Sequence, residues 1–232
     1  MKVVFTYLPI RLKQTTEIYL SYSIENLNAG GIIPVIFSDN DYFKDNGLDY
    51  EFHKFDVDEK YKQNTLWSYP KLKILSQISF SFVHLDNDLI VKDFSKLKKS
   101  IKDEGLNIGY KHPLTAEQQE SFKWIYKSYS NQEIKFEELN NTCIIGTNDY
   151  KTINKAYGEV IDIIEKNYDF FCEYYNKIPP ITLNQQYVNL HFDEINYLFK
   201  WNPDYSDLEL NGVCHMADKD MVGKFIKNRP LI

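Results

Sequence analysis

Two carboxylates one residue apart can share a single hard divalent cation, and such an ion takes its remaining oxygen ligands readily from a diphosphate. The chain holds four Asp-x-Asp triplets: Asp39-Asn40-Asp41, Asp56-Val57-Asp58, Asp86-Asn87-Asp88 and Asp218-Lys219-Asp220. Only Asp86-Asn87-Asp88 is wedged between apolar runs, Phe80-Ser81-Phe82-Val83-His84-Leu85 before it and Leu89-Ile90-Val91 after it. Charge at the end of an otherwise buried strand is costly unless a cation or a donor offsets it. Context therefore selects this copy, and a hard divalent cation is the cofactor it predicts. Cys143, Cys172 and Cys214 are odd in number and lack the paired spacing of a zinc site, so they read as reduced thiols.

The surrounding pattern supplies elements to hold the triplet. Lys2 to Leu8 is a short run of β-formers, and from Thr15 onward Leu20, Ile24 and Leu27 recur at helical spacing before Gly30-Gly31 stops the helix. Ile32 to Phe37 is a second β-branched run, which makes the first forty residues a βαβ unit and predicts a parallel sheet that binds ligands at the carboxyl ends of its strands. After a polar stretch from Asp41 to Lys62, Trp67, Lys71, Leu75 and Ile78 lie on successive helical turns, with Pro70 acceptable only in the first. Leu106 to Tyr110 and Thr142 to Gly146 are further strand candidates. Tyr157, Val160, Ile161, Ile164, Tyr168 and Phe171 form one face of a long helix. With no linker or repeat, residues 1–232 read as one α/β domain, a mostly parallel sheet flanked by helices.

Charge and length narrow the function classes. A formal charge of −6 over 232 residues leaves no basic stripe to displace counterions, which argues against nucleic acid as a partner. The N-terminus enters a strand at once, and no apolar run reaches about 18 residues, so the expectation is a cytoplasmic protein. Lys224, Lys227 and Arg229 offer a basic cluster for peripheral contact with an anionic membrane. The aromatic content of 16% exceeds what a core requires, and either reflects residue bias or supplies faces for stacking sugars and bases.

Phe82-Val83-His84-Leu85-Asp86-Asn87-Asp88 resembles the strand-plus-DxD signature of GT-A glycosyltransferases, and further landmarks follow its order. Trp67-Ser68-Tyr69-Pro70-Lys71 resembles the preceding helix, whose basic residue faces the donor phosphates. Asn141-Thr142-Cys143-Ile144-Ile145-Gly146 resembles the strand behind the sugar pocket, with Cys143 where Gly is usual. Asn184-Gln185-Gln186-Tyr187-Val188-Asn189 is similar to the Asp-Gln-Asp-x-x-Asn segment of the bacterial galactosyl- and glucosyltransferase branch, with both acids replaced by amides. Cys214-His215-Met216-Ala217-Asp218-Lys219 resembles that branch's metal-completing segment, with a shorter His-to-Lys spacing.

The resemblance implies a nucleotide-binding half over 1–91, an acceptor half over 92–232, and Mn²⁺ or Mg²⁺ held by Asp86, Asp88 and neutral His215, easing departure of a nucleoside diphosphate. It implies donor contacts from Thr6, Tyr7, Asp39, Lys71, Asn87, Asn141 and Lys219, with Tyr7 and Asp39 toward uracil and ribose. Gln185 suits a retaining transfer beneath the anomeric carbon. An inverting transfer would instead need a carboxylate base such as Asp193 or Glu194. The expected reaction moves a hexose from a nucleotide sugar, UDP-linked by the resemblance, to a saccharide or glycolipid acceptor such as lipopolysaccharide or capsule. One rival is a haloacid-dehalogenase-type phosphatase, but its motif begins the domain and is followed by Gly-Thr or Gly-Val, whereas Leu89 follows here. Another is a sugar- or nucleotide-binding module without turnover, suggested by the amides at 184–186.

Overall fold

A computed structural model describes residues 1–8, 13–62, 68–100, 106–113, 138–169, 204–205 and 213–215. It opens with the anticipated unit: β1 (Lys2–Tyr7), α1 (Lys13–Ala29) and β2 (Val35–Ser38). Leu20, Ile24 and Leu27 are fully buried at the spacing that predicted α1. The helix ends because Gly31 takes a φ of 73°, which lets Ile32 N–H bond Leu27 O at 2.9 Å and Gly31 N–H bond Asn28 O at 2.8 Å. Only a residue without Cβ adopts that conformation freely.

Beyond β3 (Glu51–Lys54), α2 (Tyr69–Leu75) carries Pro70 in its first turn as required. Then come β4 (Phe82–Leu85), β5 (Leu89–Val91), α3 (Phe94–Ser100), β6 (Leu106–Pro113), β7 (Glu138–Thr147), α4 (Tyr150–Lys166), β8 (Asp204–Tyr205) and β9 (Val213–His215). One seven-stranded sheet runs β3-β2-β1-β4-β7-β6-β8, and β5 pairs with β9 apart from it. The sheet is mixed and mostly parallel: β1 is parallel to β2 and β4, β2 to β3 and β6 to β8, while β7 is antiparallel to β4 and β6. This is the α/β class expected.

Alternation along the strands divides the core between the two faces. Val3, Phe5 and Tyr7 of β1 pack with Leu20, Ile24 and Leu27 of α1, whereas Val4 joins Leu72 and Leu75 of α2 and Tyr157, Val160 and Ile164 of α4. The sheet is thus sandwiched between helices. Sequence-adjacent β1 and β2 pair on one side of β1, and β4 pairs on the other. The strand order therefore reverses between β1 and β4, the point at which open α/β sheets form a crevice outside their carboxyl ends.

Candidate functional site

Asp86-Asn87-Asp88 lies at that reversal. Pairing of β4 with β7 continues one residue past the strand, Asp86 N–H donating to Cys143 O at 2.9 Å, and the chain then turns, with Leu89 N–H donating to Asp86 O at 3.1 Å. The two carboxylates thus sit on a tight turn at the carboxyl end of β4. Asn87 braces the turn against β1, its Nδ2 donating to Thr6 O at 2.7 Å. Its other amide atom, Oδ1, is buried with no hydrogen-bond partner.

Below the turn lies a polar cluster. Lys71 is 6% exposed, with Nζ 2.8 Å from Asp86 Oδ1 and 2.7 Å from Thr142 O. His84 is 1% exposed and its Nε2 lies 3.2 Å from Thr6 Oγ1. Burial, and then the charge of Lys71, hold its pKa well below the usual histidine value, so it is neutral.

After the turn, β5 is held from both sides. Ser23 of α1 donates to Leu89 O at 2.7 Å and accepts from Val91 N–H at 3.2 Å, and Asn26 Nδ2 donates to Val91 O at 2.8 Å. Opposite, β9 pairs in register, Leu89 with His215 and Val91 with Val213. The residue directly after Asp88 is therefore cross-strand from His215. Tyr19, one helical turn before Ser23, is raised in pKa by its burial and by the charge of Asp88. Tyr19, Ser23 and Asn26 were not anticipated, although polar residues at i, i+4 and i+7 mark a second face of the predicted helix.

The remaining expected contacts divide. Thr6 is at the site but its carbonyl and hydroxyl face Asn87 and His84. Tyr7 is 1% exposed, its ring edge-on to Tyr42 and packed on Phe43, and its hydroxyl donates to Glu17 at 3.0 Å. A buried ring has no face for a base, whereas half-buried Tyr42 stands beside it, hydrogen-bonded to Asp39. Asp39 follows β2, with Oδ1 buried and without a hydrogen-bond partner and Oδ2 3.9 Å from Lys62 Nζ. Asn141 is in β7, in register with Tyr110 of β6. Gln185, Lys219, Asp193, Glu194, Lys224, Lys227 and Arg229 lie outside the described residues.

Two other triplets have local duties. Asp41 accepts from Tyr50 OH, Asp56 pairs with Lys62 at 2.7 Å, and Asp58 accepts from Lys60 N–H at the start of a short 3₁₀ turn. The Asp218 triplet is outside the described residues.

Among the described side chains no group of three His, Cys, Asp or Glu is gathered for a metal. The donor set at the turn nonetheless fits a hard cation. It combines two carboxylates, a buried amide oxygen without a hydrogen-bond partner and, by backbone register, the position of His215. Asp86, Asp88 and His215 would hold such an ion.

No protein-family profile matches the chain, and no curated protein matches it in sequence. Its fold is shared with the apo-form glycosyltransferase GlyE of Streptococcus pneumoniae TIGR4, at a TM-score of 0.51 and 12% identity over 94% of this chain and 55% of that one. The chain thus spans little more than half of that protein's length. Weaker likenesses include the galactosyltransferase LgtC in complex with donor and acceptor sugar analogs (TM-score 0.49, 14% identity, 100% of this chain and 97% of that one). A glycosyltransferase involved in glycosylation of the major capsid of PBCV-1 has a TM-score of 0.48 and 11% identity, over 97% and 98% of the two chains.

Proposed function

We propose that this protein is a metal-dependent glycosyltransferase that moves a hexose from a nucleotide sugar, UDP-linked, to a saccharide or glycolipid acceptor. The observation that carries the reading is the position of Asp86-Asn87-Asp88. Two carboxylates sit on a turn at the carboxyl end of β4, where the sheet order reverses, with His215 cross-strand from Leu89. A divalent ion bound there would neutralise charge that grows on the departing diphosphate.

The chain's own residues have separable parts. Asn87 fixes the turn to β1, and Lys71 holds one oxygen of Asp86, so the carboxylates are oriented before any ligand arrives. Ser23 and Asn26 hold β5, and with it β9. Asp39 and Tyr42, beyond the end of β2, offer an acceptor and an aromatic edge for the nucleoside. By the resemblance Gln185 would act beneath the anomeric carbon, where a neutral amide suits retention of configuration, while inversion would need a carboxylate base such as Asp193 or Glu194.

The direct test is a panel of nucleotide sugars incubated with the protein and Mn²⁺ or Mg²⁺, read by release of nucleoside diphosphate and the configuration of the freed sugar. Slow hydrolysis of one donor, absent in EDTA, is expected. Silence across the panel with retained nucleotide binding would replace the enzyme with a binding module.

A further inference from the structure

The lysine under Asp86 is placed for a task other than gripping phosphates. Its ammonium faces three oxygens: Asp86 Oδ1 at 2.8 Å, Thr142 O at 2.7 Å and Thr142 Oγ1 at 3.2 Å. An ammonium has three N–H bonds to give, and these acceptors match them. Thr142 is 1% exposed and Lys71 6%, so the contacts are shielded from water. The three partners also come from different elements. Lys71 is on α2, Thr142 on β7, and Asp86 opens the turn after β4, tied again to β7 through Cys143 O at 2.9 Å. A charged joint of this kind fixes a carboxylate far better than an exposed lysine could, because burial strengthens each contact.

We propose that Lys71 is a positioning residue for Asp86 and not a ligand of the donor phosphates. It draws Oδ1 inward, so at most Oδ2 is offered to the site. The inference rests on reading this turn as the cation site. Its consequence has an unusual sign. Removing the ammonium while keeping the apolar stem, as in Lys71→Met, strips a positive charge from beside the site, so Mn²⁺ alone should bind more tightly. Donor turnover should fall, since Asp86 loses its orientation.

Two measurements decide it. First, lysine acylation of the folded full chain is mapped by mass spectrometry, with and without UDP and Mn²⁺ together. Lys71 is expected to stay unlabelled in both. Labelling in the free protein that UDP with Mn²⁺ then suppresses would overturn the inference, and this arm needs no variant to fold. Second, Mn²⁺ affinity without nucleotide is read by electron paramagnetic resonance. Lys71→Met should bind roughly two- to tenfold more tightly than wild type, the size of one lost like charge at a partly exposed site. In Asp86→Asn the same change should lower donor turnover no further, because Lys71 then has no carboxylate to orient. Unchanged Mn²⁺ affinity together with lost UDP affinity would make Lys71 a phosphate ligand after all. A silent donor panel with Lys71 still protected would sink the glycosyltransferase proposal and leave the lysine holding Asp86.

Discussion

Asp88 and Asp86 are chemically alike but differently placed. Asp86 has one oxygen on a buried ammonium at 2.8 Å, whereas Asp88 lies close enough to Tyr19 for its charge to raise the pKa of that phenol. Under the proposed function both carboxylates bear on the cation. Asp88→Asn is expected to weaken Mn²⁺ binding more than tenfold, or about 1.4 kcal/mol, measured as free Mn²⁺ by electron paramagnetic resonance. Equal affinity in that variant would remove the turn from the metal site. The triplet itself was legible in the sequence because acids interrupting an apolar strand are conspicuous. The destination of Lys71 was not legible. Helical spacing says which side of α2 a lysine leaves from, but not that its ammonium folds back under β4 toward a threonine 71 positions later. Tyr7 shows the same limit: it is the last residue of β1, within the run of β-formers that predicted the strand, while strand alternation turns its ring into the α1 side of the core.

At the scale of elements, short polar contacts hold the site in shape. Ser23 is fully buried and serves both Leu89 O and Val91 N–H, so Ser23→Ala leaves two strand groups without a partner. A loss of about 1–3 kcal/mol is expected in chemical denaturation, with weaker Mn²⁺ binding, because β9 is paired to the loosened strand. Gly31→Ala should cost about 1 kcal/mol for its positive φ alone, leaving Mn²⁺ affinity unchanged. On the other face Glu165 of α4 accepts from Tyr69 OH at 2.6 Å and from Lys73 at 3.0 Å, both on α2. Burial would raise its pKa, but the Tyr69 and Lys73 contacts outweigh it and hold the carboxyl below its usual 4.5. A depressed carboxyl adds stability that is complete above the unfolded-state value and is lost as pH falls through the folded one. Glu165→Gln should therefore flatten the stability profile below about pH 4.5, at a cost near neutrality of less than about 1 kcal/mol. A profile unchanged in slope would remove this carboxylate from acid unfolding. The elements that sequence missed are those without periodicity. β3 is a polar edge strand, exposed at both ends and half-buried between, and β8 and β9 have two and three residues, too few for any pattern to repeat. The βαβ unit and α4 were legible because their apolar residues repeat at the period of the element.

Across the whole molecule, charge sets the strongest condition on function. The chain carries a formal charge of −6, and the described part of the turn adds two carboxylates to the place where a diphosphate would arrive. Lys71, the basic side chain placed under Asp86, already spends its ammonium on internal oxygens. A nucleoside diphosphate brought there without a cation meets repulsion from Asp88 and, among the described residues, little compensation. Binding of nucleotide and of metal should accordingly be coupled, each strengthening the other. No helix among the described residues is long and apolar enough to cross a membrane. The coupling can be sought in thermal melts of the protein. UDP at about 100 times its dissociation constant, with saturating Mn²⁺, stabilises the folded chain by about 2.7 kcal/mol. For a chain of this size that is a rise in Tm of roughly 5–10 °C. UDP in EDTA is expected to give no rise, and Mn²⁺ without UDP only a small one. An equal rise with UDP in EDTA would show that the nucleotide binds through groups other than a metal on Asp86 and Asp88, and the proposed chemistry of departure would lose its cation.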